Sequence, residues 1–185
     1  MSDADIKNRR HIRARISLVA SILLGLVFLI SGSGKVIGYG EMPGQTMEFL
    51  GAAIPGFLFT PALASFIGNV FLPYIVPWIE LCLGIFLILY IWPRFMAIIG
   101  LLLSIAFMAN NAWLMSQGMK HFQSCECFGI WEEIFGSLTP LQSMYIDIGL
   151  FILAMVIIFI YRNGFFASPA WVYKLQRKKK DSTDS

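Results

Sequence analysis

The sequence predicts an all-α, polytopic membrane protein: a bundle of four transmembrane helices with both termini in the cytoplasm. Three observations predict it. The 185 residues are 57% hydrophobic and 14% charged, well below the roughly 25% charge of soluble domains, and mean hydropathy is +0.71. Four apolar segments each approach the ~20 residues that cross a bilayer core. Finally, 12 of the 14 Lys and Arg residues fall in three segments that four crossings put on one side.

The chain divides into a basic N-terminal segment over residues 1–15, a four-helix membrane domain over 16–161 and a basic tail over 162–185. Lys7, Arg9, Arg10, Arg13 and Arg15 precede the first span, expected from Ile16 to Ile37. A charged start followed by an apolar run also fits a secretory signal, with cleavage near Ser31 or Gly32. The run is long and Lys35 leads straight into further apolar residues, so an uncleaved helix is the expectation.

The stretch from Gly38 to Phe71 is long, mildly polar and marked by Pro43, Pro55 and Pro61. Pro43 suits the first turn of a helix that Gln45–Leu50 continues. Phe57–Phe71 is apolar enough to lie at the interface or to lengthen the second span, with Pro73 and Pro77 kinking such an extension. The second span is expected from Leu72 to Trp92. Pro93 and Arg94 break it from the third, Phe95–Met115. The fourth runs from Pro140 to Tyr161, and Arg162, Lys174, Arg177, Lys178, Lys179 and Lys180 follow it. Basic residues accumulate in short cytoplasmic segments, so the termini and Arg94 face the cytoplasm. The first loop and the HFQSCECFGIWEE loop, with Lys35 and Lys120, face outward. The basic tail suits anionic headgroups, each cation contributing on the order of 1 kcal/mol near the surface. Trp78, Trp92, Trp113 and Trp171 fall near expected span ends, as interface anchors do.

Cys125 and Cys127 stand one residue apart in the outward loop. Disulfides persist in oxidising compartments and not in the cytosol, so location favours redox chemistry. Bridging two residues separated by one requires a turned backbone, which Gly129 eases, and strained exposed disulfides are the labile, exchanging ones. Glu126 disfavours thiolate, while Lys120 and protonated His121 favour it. Metal binding and a structural turn are the competing readings. Two thiolates and one nearby His leave a four-coordinate zinc site short of a ligand, and no metal is expected. Cys82, inside the second span, reads as a small buried hydrophobe. With three cysteines the chain cannot hold two dithiol pairs, so electrons leaving Cys125 and Cys127 go to a partner protein or to a small acceptor such as a quinone.

Glu80 and Asp147 are carboxyls within spans, where ionisable residues face the bundle interior and mark function. Lys35 ends the first span, and Asn110 and Asn111 interrupt the third on the same side, so a polar cluster is expected beneath the outward loops. It either handles protons, lines an acceptor pocket, or holds helices together by hydrogen bonds worth about 0.6 kcal/mol each. SGSGKV is no phosphate loop: that pattern requires Gly at the position of Leu29 and Ser or Thr at that of Val36. No nucleic-acid partner is expected.

FLISGSGKVIG at the end of span one, PWIELCLGIFLIL with Glu80 and Gly84, and CECFG followed by LTPLQSMYIDIGLFIL with Pro140 and Asp147 together resemble the DoxX-like superfamily of small four-helix membrane proteins. Within it they look most like the MauE (methylamine utilisation) branch, over about Leu18 to Phe159. The resemblance implies maturation of a disulfide-rich periplasmic enzyme subunit, or membrane oxidoreductase complexes linked to quinones. The family's loop more often reads Cys-Gly-Cys-Phe-Gly, and Glu126 stands here in place of that Gly. No residue reads methylamine as a substrate.

The expected function is thiol-disulfide redox chemistry, or maturation of a disulfide-containing partner, in an integral membrane protein of the inner membrane in a bacterium. In it Cys125 and Cys127 exchange with a thioredoxin-like or disulfide-containing extracytoplasmic protein. Glu80, Asp147 and Lys35 handle protons or line the acceptor pocket. The alternative is a non-catalytic subunit or assembly scaffold of an oxidoreductase complex, and a small-solute transporter is a third.

Overall fold

A computed structural model describes residues 3–38, 44–56, 59–118, 129–132, 136 and 138–160. Every element among them is helical: α1 (Asp3–Ile37), α2 (Gly44–Ala53), α3 (Pro61–Phe66), a π-helical segment (Ile67–Ile75), α4 (Val76–Ile88), α5 (Pro93–Ser116), a 3-10 turn (Gly129–Trp131) and α6 (Pro140–Ile160). Four stretches are long and apolar enough to cross a membrane: Ile12–Ile37, Pro61–Ile88, Pro93–Ser116 and Pro140–Ile160. The protein is therefore an integral membrane protein built as a four-helix bundle.

The second span starts eleven residues before the expected Leu72. Thr60 caps α3, its hydroxyl accepting from the Leu63 N–H at 3.3 Å, and Pro61 occupies the first turn. Pro73 removes one backbone donor, yet the helix widens into π turns around it and does not end; such turns are rare and occur mostly within α-helices. Pro77 then falls in the first turn of α4, where a missing N–H costs little. Of the stretch Phe57–Phe71, the part from Pro61 onward thus lengthens the second span, and Trp78, expected near its edge, falls well inside it. The helix foreseen over Gln45–Leu50 is present as α2, which lies on α5 with the Phe49 ring 6.0 Å from that of Trp113.

Small residues set how the helices meet. At Gly84 an added Cβ would stand 2.6 Å from the Leu29 nitrogen and 2.8 Å from the Gly25 carbonyl oxygen, and at Gly32 it would stand 2.6 Å from the Leu81 nitrogen. Gly25 and Gly32, two turns apart, therefore let α1 lie backbone to backbone on α4, the usual way membrane helices gain packing contact. A second pair, α5 and α6, closes against α1 through α6. The shared core is Ala20, Leu24, Phe28, Leu83, Leu87, Ala97, Leu150, Ala154 and Ile157. Exposed Val19, Leu23, Leu26 and Ile30 recur at helical spacing on the other face of α1, which meets lipid. Cys82 also faces outward and is exposed, against the expectation of a buried position: the face of α4 turned to α1 belongs to Leu81, Leu83 and Gly84, and Cys82 falls beyond it.

Between α4 and α5 the chain reverses in a few residues, with Tyr90 (φ 57°) and Trp92 (φ 46°) in the left-handed region, a costly conformation for bulky side chains. Two bonds fasten that reversal to α1: the Ser21 hydroxyl donates to the Leu87 carbonyl at 2.8 Å, and the Tyr90 hydroxyl to Ser17 at 3.1 Å.

Candidate functional site

At the opposite end of the bundle, where α1 and α5 finish and α6 begins, the ionisable residues gather. Lys35, in the last turn of α1, donates to both oxygens of Glu80 on α4, at 2.8 and 2.9 Å. Ser31, one turn earlier on α1, donates to the same carboxylate at 2.9 Å. The Glu80 side chain is fully buried and that of Lys35 is 21% exposed. Its ammonium also stands 5.1 Å from the centre of the Phe107 ring on α5, a favourable cation–π distance. A carboxylate at this depth is affordable only with such partners, and here it has three donated hydrogen bonds.

The second carboxyl has different company. Asn111 on α5 donates to Asp147 at 2.8 Å and to the Ser143 hydroxyl at 3.1 Å, both on α6 and all three buried. Ser143 and Asp147 share a face because they are four residues apart. The start of α6 is fixed by a capping box: Thr139 accepts from the Gln142 N–H at 3.3 Å, and Gln142 accepts from the Thr139 N–H at 3.0 Å, the reciprocal pattern that Thr-x-x-Gln encodes. Between the two groups lies a cavity of about 40 Å³ bordered by Ser31 and Lys35 of α1, Phe107 of α5, and Ser143 and Asp147 of α6.

Above this cluster sits the 3-10 turn. Gly129 adopts φ +55°, and a Cβ there would fall 2.5 Å from the Gly34 carbonyl carbon and 2.8 Å from the Lys35 nitrogen. No other residue fits. The neighbouring Trp131 indole donates to Ser33 at 3.1 Å, and Gly38 makes room for the Ile130 side chain. The end of the CECFG motif is thereby seated on the last turns of α1. Cys125 and Cys127 themselves, with Glu126, Lys120 and His121, lie outside the described residues, as does Trp171.

The structure thus brings together Lys35, Glu80, Asp147 and Asn111, as the sequence leads one to expect, and pairs Lys35 with Glu80 specifically. Ser31, Ser143, Phe107, Ser33 and Trp131 were not foreseen. For Ser31 and Ser143 a signal existed, since each stands four residues from an expected site residue on the same helix.

A family model described as Methylamine utilisation protein MauE matches residues 13–161. The chain belongs to the MauE family. The match covers all four spans, the polar cluster and the cysteine loop. No curated protein and no solved structure matches the chain.

Proposed function

We propose that this MauE family member carries out extracytoplasmic thiol-disulfide chemistry, with Cys125 and Cys127 as the redox pair. The Cys125–Cys127 disulfide accepts attack by a thiolate of a secreted partner, a mixed disulfide forms, and the partner's second thiolate resolves it. The partner leaves with a disulfide, and the pair is left as two thiols. Exchange with the disulfide of a thioredoxin-like protein restores it. Each attack takes a proton from the entering thiol and each departure returns one to the leaving thiolate; Glu80, Asp147 and Lys35 handle those protons.

The observation that carries this reading is the seat of Gly129 against Gly34 and Lys35. Two peptide units join Cys127 to Gly129, so covalent geometry holds its Cα within about 7.6 Å of that glycine. The redox pair is tethered to the helix end that bears the polar cluster. The charge asymmetry supports an outward-facing loop, an inner-membrane location in a bacterium, and the division into a basic segment (1–15), a membrane domain (16–161) and a basic tail (162–185). The stretches FLISGSGKVIG, PWIELCLGIFLIL and LTPLQSMYIDIGLFIL, which carry Lys35, Glu80 and Asp147, support membership of the DoxX-like superfamily. The family's description as a methylamine utilisation protein ties the proposed partner to methylamine use.

The test is Cys127→Ser. The variant, which cannot form the pair's disulfide, should be found in native membranes as a mixed disulfide between Cys125 and the thioredoxin-like protein, whose disulfide the Cys125 thiolate attacks with one sulfur leaving as a thiol. The secreted partner's own disulfides should fail to form. Normal maturation of the partner contradicts the reading. A scaffold is the second reading, favoured by one observation: the bonds from Ser31 and Lys35 to Glu80 and from Asn111 to Ser143 and Asp147 each join different helices. It predicts that Cys127→Ser leaves maturation intact while Glu80→Ala removes the protein from the membrane.

A further inference from the structure

The cavity between Lys35 and Asp147 is apolar over most of its wall, from Val27 and Phe28 to Ile146 and Leu150, with polar groups at Ser31, Lys35, Ser143 and Asp147. Its size and its lining select its occupant. A buried water needs roughly 10–15 Å³ of such volume and two to four polar partners, so about 40 Å³ takes about three waters. An ammonium has three N–H groups; two of those on Lys35 go to Glu80, which leaves one. Asp147 accepts from Asn111 at Oδ2, and its carboxyl borders the cavity. A purely apolar cavity of this size would stay dry; the ammonium and the carboxyl at its edge supply the polar partners that water requires.

We propose that the cavity is a hydrated site whose few ordered waters join the Lys35 ammonium to the Asp147 carboxyl, making the α1–α4 pair and the α5–α6 group one proton-exchanging unit. Asn111 and Ser143 are positioning residues: they fix the Asp147 carboxyl so that its other oxygen meets the water. Ser31 holds the Glu80 carboxylate that anchors the Lys35 ammonium. The waters let a proton cross between the Lys35 ammonium and the Asp147 carboxyl. That these protons serve the cysteine pair rests on the function proposed above; the hydration does not.

The test is radiolytic hydroxyl labelling of the protein in lipid nanodiscs prepared in ¹⁸O-water. Phe28 is 1% exposed and should nonetheless take up ¹⁸O, together with Phe107, at least tenfold faster than in Ile146→Phe, which fills the cavity. An infrared O–H stretching band that shifts in ¹⁸O-water should be present in the wild type and absent from that variant; Leu150→Phe serves if the first variant does not fold. Absence of ¹⁸O on Phe28 and Phe107 in the wild type, or label and band that survive filling, overturns the proposal. So does protection of Phe28 by a short-chain quinone, which would make the cavity a quinone site. Repeating the labelling in Cys125→Ser/Cys127→Ser separates the two ideas. A wet cavity in that variant upholds the hydrated site even if Cys127→Ser shows that the cysteines do not exchange.

Discussion

Lys35 and Glu80 show what a single pair of side chains does at membrane depth. Removing one partner of a buried ion pair costs about 3–5 kcal/mol because a charge is left uncompensated, whereas replacing both by apolar groups is close to neutral. Lys35→Met leaves the fully buried Glu80 with only the Ser31 hydrogen bond. It should therefore lower thermal stability in nanodiscs far more than Lys35→Met/Glu80→Met does, as followed by circular dichroism; equal losses would mean that the pair does not couple the helices. At this scale the sequence was partly legible. An acid or a lysine inside an apolar span is conspicuous, and Lys35, Glu80, Asp147 and Asn111 could all be picked out. Their partners could not, because serine is common in membrane helices and which carboxyl Lys35 meets depends on the rotation of α4 against α1. Cys82 illustrates a signal that was missed: it follows Glu80 by two residues, about 200° round the helix, so the carboxyl that faces the bundle already turns Cys82 toward lipid.

The contact between α1 and α4 belongs to whole elements. Its closeness depends on Gly25, Gly32 and Gly84, whose added Cβ atoms would meet backbone at 2.6–2.9 Å. Gly84→Val should force the helices apart, at about 1–3 kcal/mol for overpacking, and with them the Lys35–Glu80 pair. Gly149→Ala, where nothing lies within 4 Å, should leave stability unchanged or slightly raised, since alanine is the better helix former. Thermal unfolding of the two variants side by side checks this, and a harmless Gly84→Val would show that the helices are less closely packed than described. Element boundaries were legible where chemistry marks them. Thr139, Pro140 and Gln142 announce the start of α6, and Pro93 that of α5. The start of the second span was not, because three prolines suggest interruption while the helix passes two of them by widening into π turns at Pro73 and beginning a new α turn at Pro77.

For the whole molecule, four spans could be read from hydropathy alone, since the bilayer demands about 20 apolar residues per crossing. Which helices touch could not, because apolar composition is the same on every face. The account as a whole depends on the loop that ends at Gly129 facing an oxidising compartment with its two thiols joined. Labelling of intact cells with a membrane-impermeant maleimide, in a Cys82→Ser background, measures both at once. The account predicts no label on Cys125 and Cys127 before reduction and full label on both after treatment with a membrane-impermeant reductant. Label that appears only once the membrane is broken, or that is complete without reductant, would contradict it.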